Sequence, residues 1–211
     1  MIKYNYIAIE GVIGAGKTAL SEKIAKDYNT KLILEQFEEN SFLPLFYKDP
    51  EKYAFPLEMS FMASRFQQLK NELLDQDLFK SFTISDYLFD KSKIFAKVTL
   101  PKNEFHLFSK FFDFLSSSIP KPDLLLYLYR SAENLKKNID RRGRPYEKNI
   151  QSSYLEQLQF AYLKYFNFLN GVPIIVMDTN ELDFVKNEKD YEIILNTLKK
   201  EYSPGISRIR I

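Results

Sequence analysis

Apolar and polar positions along this chain switch between two periods, and the switching predicts strands interleaved with helices. Ile2 to Ile9 alternates and closes on Ala8-Ile9-Glu10, which reads as a first strand, and a glycine-rich stretch follows at once. From Thr18 to Tyr28 the period becomes helical, with Leu20, Ile24 and Ala25 on one face. Lys31 to Leu34 is a second short strand ending at Glu35, and Pro56 to Leu74 a long helix with Leu57, Phe61, Leu69 and Leu73 inward. Phe82 to Ser85 is a third strand, ending at Asp86, and Phe105 to Leu115 an aromatic-rich helix. Asp123 to Tyr129, preceded by Pro122, is a continuous apolar run of the kind buried on both faces. Ser131 to Arg141 and Tyr154 to Leu169 are helices, and Ile174 to Met177 is a fifth strand. Strands alternating with helices predict an α/β fold, a five-stranded parallel sheet flanked by helices. Ser203 to Ile211, with Pro204 and Gly205, reads as a loose tail after a single domain over 1–202.

Composition narrows the function classes. The 211 residues fit one domain, or at most one and a half, and 45% are apolar, enough for a sizeable core. There is no cysteine, which excludes a disulfide scaffold and a thiolate metal site. The segment from Met1 to Tyr6 shows no basic stretch leading into a long apolar one, and no apolar run approaches a membrane span, so a cytoplasmic location is the expectation. A net charge of +2 gives no global pull toward nucleic acid or an acidic membrane. Any anion must therefore be recognised locally. The single histidine, His106, reads as a packing residue rather than a ligand.

Local anion recognition has an obvious seat. Gly11-Val12-Ile13-Gly14-Ala15-Gly16-Lys17-Thr18 fits G-x-x-x-x-G-K-[ST], between the first strand and the first helix. The glycines let successive backbone N–H groups turn inward on phosphate oxygens, and the helix adds the positive end of its dipole. Lys17 supplies a point charge for the β- and γ-phosphates, and Thr18 a hydroxyl for Mg²⁺. The motif names a nucleotide user without separating kinase from switch or motor. The guanine-reading N-K-x-D pattern is absent, and no strand ends in an Asp-Glu pair.

Four motifs in order resemble the deoxynucleoside kinase family, and especially its bacterial deoxyadenosine/deoxyguanosine-kinase branch, over nearly all of residues 4–195. The first is this P-loop. The second is Glu35-Gln36-Phe37-Glu38-Glu39-Asn40 with Phe42-Leu43; the resemblance implies that Glu35 is the catalytic carboxylate that takes a proton from a 5′-hydroxyl. The third is the stretch from Pro56 to Arg65, where Glu58 matches the base-reading position and Arg65 the arginine seven residues on. Tyr47 matches the tyrosine that holds the sugar 3′-hydroxyl. The fourth is Arg141-Arg142-Gly143-Arg144-Pro145-Tyr146-Glu147, similar to an arginine-rich lid. Its arginines would close over the triphosphate, and Glu147 would reach the 3′-hydroxyl.

The chain departs from the family after the third strand. Animal members carry an acidic residue, then Arg, then Ser, where this chain has Ser85-Asp86-Tyr87-Leu88-Phe89-Asp90-Lys91-Ser92. Asp86 keeps the acidic, magnesium-side role, and Lys91 is the nearest cation to replace the missing arginine, although Lys cannot bind bidentately. Asp90 is expected to pair with Arg65 near the base. The implied activity is transfer of the γ-phosphate of ATP, with Mg²⁺, to the 5′-hydroxyl of a deoxynucleoside. Ionised Glu58 offers two acceptors, which match the paired donors of guanine and favour deoxyguanosine; adenine fits a glutamine better, or a protonated Glu58, and the resemblance allows deoxyadenosine equally, so either purine stays open. A nucleoside monophosphate kinase would share the P-loop and lid but need more arginines on the acceptor side, and a nucleotide-gated switch would leave Glu35 and the lid idle. The crowding of Phe105, Leu107, Phe108, Phe111 and Phe112 exceeds one buried stripe and agrees with a homodimer, which the resemblance implies.

Overall fold

A computed structural model describes residues 2–37, 40–74 and 79–210; Glu38 and Glu39 of the second motif lie outside the described residues. Its centre is a parallel sheet in the order β2-β3-β1-β4-β5-β6. The strands are β1 (Tyr6–Glu10), β2 (Lys31–Ile33), β3 (Thr83–Ser85), β4 (Leu124–Tyr129), β5 (Pro173–Asp178) and β6 (Gly205–Ile209). The central strands β1 and β4 are buried along nearly their whole length, which is why their sequences run apolar without alternating.

The helices are α1 (Lys17–Tyr28), α2 (Leu43–Lys48), α3 (Pro50–Leu74), α4 (Lys91–Thr99), α5 (Lys102–Ser116), α6 (Ala132–Arg142), α7 (Ser152–Phe166) and α8 (Glu188–Leu198). Most sequence-predicted elements appear within a few residues of their expected bounds. The first strand starts later than expected, at Tyr6, and α3 starts earlier, at Pro50, and runs through Pro56. That proline removes the bond to the carbonyl of Lys52, in an exposed first turn where water can replace it. On α3, Leu57, Phe61 and Leu69 are buried as expected, and Leu73 is half-buried.

Three expectations are corrected. The sheet has six strands, not five. The sixth lies in the supposed tail, where Gly205–Ile209 pairs in parallel with β5 and sets Ile206 and Ile209 against the core. The Pro-Gly pair reads as a breaker, yet it only launches the strand; the partner lies some thirty residues earlier, beyond any local pattern. His106 is exposed on α5 rather than packed, because the buried stripe of that helix is carried by Phe108 and Phe112. Helices α2, α4 and α8 are additional to those read from the sequence. Among the described residues no helix is long and apolar enough to cross a membrane.

Two apolar clusters divide the interior. The larger packs α1, α6, α7 and α8 on the sheet, and the smaller joins α3, α4 and α5. The carboxyl ends of β1, β2 and β3 open between them, where ligands of open α/β sheets bind.

Candidate functional site

The cleft at these strand ends encloses about 780 Å³ of empty space, counting the part open to solvent, and runs from the phosphate loop to the inner side of α3. Its near wall is the glycine-rich loop. Gly14 and Gly16 adopt φ of 87° and 94°, a left-handed region that other residues enter at a cost. A Cβ on Gly14 would meet the Leu135 carbonyl oxygen at 2.7 Å, and one on Gly16 the Phe184 ring at 2.8 Å, so both positions also lack room. Asn138 Nδ2 donates to the Gly14 carbonyl at 2.8 Å and ties the loop to α6. Lys17 Nζ donates to the carbonyls of Gly11 and Val12 at 2.8 and 3.3 Å, and burial, with Lys91 nearby, lowers its pKa to about 8.

The floor is a connected set of charges. The Thr18 hydroxyl donates to Asp86 Oδ2 at 2.5 Å, and the other Asp86 oxygen accepts the Glu35 backbone N–H at 2.8 Å. Arg65 donates to Glu35 Oε1 from Nε at 2.8 Å and from Nη2 at 2.6 Å, and Lys91 Nζ to Glu35 Oε2 at 2.5 Å. Burial pushes the Glu35 carboxyl up, but the Lys91 and Arg65 cations outweigh it and hold the group at about 2. Arg65 Nη1 also donates to the Ser92 hydroxyl at 2.9 Å.

Asp90 is not part of this set, and its expected pairing with Arg65 does not form. It precedes α4 on the far side, where its Oδ1 accepts the Tyr165 hydroxyl at 2.5 Å. Successive residues at a helix start project about 100° apart, so when Lys91 faces Glu35 its neighbour Asp90 is turned toward α7. Arg65 meets Glu35 instead.

At the inner end, Glu58 on α3 is buried beside Leu57 and Phe61 and accepts the Thr99 hydroxyl at 2.9 Å. Burial raises its pKa to about 7, against the pull of Arg65 and of the Thr99 hydrogen bond. Tyr47 lines the same cleft, its ring stacked on Tyr146 at 6.1 Å.

The arginine-rich segment begins where α6 ends at Gly143, whose φ of 75° turns the chain over the cleft. Arg142 holds the buried Glu147 carboxylate with two bonds from Nη2, at 2.7 and 2.6 Å. Arg144 lies 3.5 Å from Glu147 and stacks over Phe37. Arg141 points elsewhere. It bonds Asn138 and lines a second cleft on the other side of the loop, between Gly16, Arg130 and residues 180–185.

Several residues of the site had no motif to announce them. Glu10, fully buried, accepts hydrogen bonds from Gly11 N, Leu88 N and the Tyr162 hydroxyl, and so joins the phosphate loop to the turn that carries Lys91. Its one sequence signal is a carboxylate ending an otherwise apolar strand. Thr99 and the 180–185 loop carry no such signal. Asn180 anchors that loop by accepting from Ser131 N and Asn134 Nδ2, and the Leu182 carbonyl accepts from Arg130 Nη2 at 2.6 Å.

With this geometry in place, three comparisons bear on the chain. The family model described as Deoxynucleoside kinase matches residues 7–202. A deoxyguanosine kinase of Bacillus subtilis is 36% identical over 92% of this chain and 96% of its own, and one of Lactobacillus acidophilus is 33% identical over 91% and 88%. The structure of a deoxyadenosine kinase from M. mycoides with bound dATP superposes with a TM-score of 0.79 at 27% identity, over 92% of this chain and 99% of that one.

Proposed function

Because the chain belongs to the deoxynucleoside kinase family, we propose that it transfers the γ-phosphoryl group of ATP to the 5′-hydroxyl of a purine deoxynucleoside. One observation carries this reading. An ionised, tightly held Glu35 stands between the phosphate loop and a mostly apolar chamber that ends in Glu58. A neutral nucleoside fits such a chamber, with its 5′ end toward Glu35 and its base toward Glu58.

The roles follow from chemistry. The loop amides and Lys17 receive the phosphates, and Lys17 leaves the Gly11 and Val12 carbonyls to do so. Thr18 and Asp86 form an all-oxygen pair, one hydroxyl and one carboxylate, which suits Mg²⁺ held jointly with substrate phosphates. Bound there, Mg²⁺ neutralises phosphate charge. Glu35 accepts a hydrogen bond from the 5′-hydroxyl and takes its proton as the new P–O bond forms. A carboxylate with a pKa of about 2 is a weak base. That suits a loose transition state, in which catalysis is mainly positioning and charge stabilisation. Lys91 takes the place of the missing arginine by fixing Glu35. Arg142 and Arg144 serve the transferring phosphate from the acceptor side and Arg141 from the donor side, while Tyr47 and Glu147 hold the sugar. The second cleft, between Gly16 and residues 180–185, receives the donor base.

For the acceptor base, ionised Glu58 pairs with the two donors of guanine, and protonated Glu58 with adenine. The similar proteins from B. subtilis and L. acidophilus described as deoxyguanosine kinases, and one from Dictyostelium discoideum described as a deoxyadenosine kinase, support a purine acceptor. Two copies of the chain pair through the outer face of α5, where Leu107, Phe111 and Phe114 are exposed at helical spacing; light scattering at micromolar concentration distinguishes dimer from monomer.

The test is ADP release from ATP and Mg²⁺ with each of the four deoxynucleosides. Turnover at least tenfold faster with deoxyguanosine or deoxyadenosine is the expected result. Activity on a nucleoside monophosphate, with none on any deoxynucleoside, would overturn it.

A further inference from the structure

The Thr99 hydroxyl lies 2.9 Å from Glu58 Oε1 and 3.1 Å from the Phe95 carbonyl one turn back on α4. A hydroxyl has one proton to donate. Given to Glu58, that proton commits Oε1 to the role of acceptor. Oε2 makes no hydrogen bond among the described residues, and the Glu58 side chain lines the cleft, so Oε2 is the oxygen left for a ligand to address.

We propose that Thr99 is a specificity-determining residue of the acceptor site: by reserving Oε1 of Glu58 as an acceptor, it directs any proton on that carboxyl to Oε2, so that the purine chosen follows the protonation of Glu58. This rests on the kinase reading above. With both oxygens bare, Glu58 accepts from N1–H and the 2-amino group of guanine. With the proton on Oε2, it donates to N1 of adenine while Oε1 accepts from the 6-amino group. Either state leaves Thr99 donating to Oε1, and neither leaves a buried polar atom of the base edge facing a like partner.

The surroundings allow both states. Arg65 on the same helix and Lys91 at the start of α4 favour the carboxylate, Glu35 at the end of β2 opposes it, and Tyr47 of α2 and Tyr154 of α7 face the same charge from the remaining sides. Burial adds the largest push toward the neutral form, which brings the change of state into the neutral pH range.

The experiment measures kcat/KM for deoxyguanosine and for deoxyadenosine from pH 6 to pH 8, and takes their ratio. The two acceptors share the sugar and the donor, so titrations at the phosphate end cancel, as does any loss of folded enzyme. In the wild type the ratio should rise by roughly tenfold or more across this range. Thr99→Val withdraws a donor from the carboxylate, displaces the whole rise to higher pH and so lowers the deoxyguanosine-to-deoxyadenosine ratio at pH 7.5 by about tenfold, the value of a hydrogen bond to a charged group. Thr99→Ser should keep the wild-type profile. A ratio independent of pH in the wild type, an undisplaced profile in Thr99→Val, or a Thr99→Ser enzyme that behaves like the valine variant would each overturn the proposal. A wild type that phosphorylates neither purine would overturn the kinase reading itself, an outcome distinct from a flat ratio.

Discussion

Lys91 Nζ stands 2.5 Å from Glu35 Oε2, on the oxygen that Arg65 leaves free. Both partners are nearly buried, at 7% and 11% exposure, so neither is replaceable by solvent. In the reading proposed above, Lys91 stands in from the start of α4 for the arginine missing after Asp86. Lys91→Met should therefore lower kcat by about a hundredfold, the usual effect of removing one charge-stabilising donor, while KM for the nucleoside stays within about threefold. Lys91→Arg should recover most of the loss. Steady-state kinetics with the preferred nucleoside decide it; a Lys91→Met enzyme with unchanged kcat would show that Arg65 alone holds Glu35.

Glu58 gives a stability signature separate from activity. Its pKa is about 7 in the folded chain against 4.5 for an unperturbed glutamate. A group whose folded pKa is raised contributes most below its unfolded value, and that contribution is lost as pH rises through the folded one. Glu58→Gln does not titrate. Relative to the wild type it should gain stability between pH 4.5 and pH 8, by up to about 3 kcal/mol. Urea denaturation at those two pH values checks the sign.

Glu10 predicts a contrast between two substitutions. Glu10→Leu strands two backbone N–H groups and the Tyr162 hydroxyl in a dry interior, at about 1–3 kcal/mol for each unsatisfied group. Glu10→Gln retains an acceptor and should cost less than half as much in chemical denaturation. Equal losses for the two would mean that the carboxylate charge, not the hydrogen bonds, holds the turn.

Gly16→Ala meets both a left-handed backbone and the Phe184 ring. The backbone term alone is about 1–2 kcal/mol. Because Phe184 lines the second cleft, proposed above to receive the donor base, the variant should raise KM for ATP several-fold and leave KM for the nucleoside nearly unchanged.

Removing residues 203–211 deletes the edge strand β6 and uncovers β5. The thermal midpoint should fall by several degrees, at ~2–4 °C for each kcal/mol lost in a chain of this size. A midpoint equal to that of the full chain would show that β6 contributes little.

The parts of this protein that rest on short-range chemistry were legible along the chain. Gly11 to Thr18 specifies a phosphate-binding turn because only that spacing lets the backbone N–H groups converge ahead of a helix. The apolar run from Leu124 to Tyr129 could only be a strand covered on both faces. Glu35 and Asp86 were legible as cleft carboxylates because each lies within two residues of the end of a short parallel strand, and the ends of such strands open on one edge of the sheet. What the tertiary structure alone decided was the phase of turns and the pairing of distant elements. The chain from Asp86 to Ser92 could have presented either Asp90 or Lys91 to the cleft. The choice was made by Glu10, seventy-eight residues from Leu88, which fixes the turn by accepting the Leu88 N–H. Thr99 meets Glu58 across forty-one residues because α3 and α4 pack together, and Gly205–Ile209 is a strand only because β5 offers it an edge. Local sequence sets which conformations a segment can adopt; a partner that arrives from elsewhere in the chain selects one of them by satisfying its buried hydrogen bonds and charges.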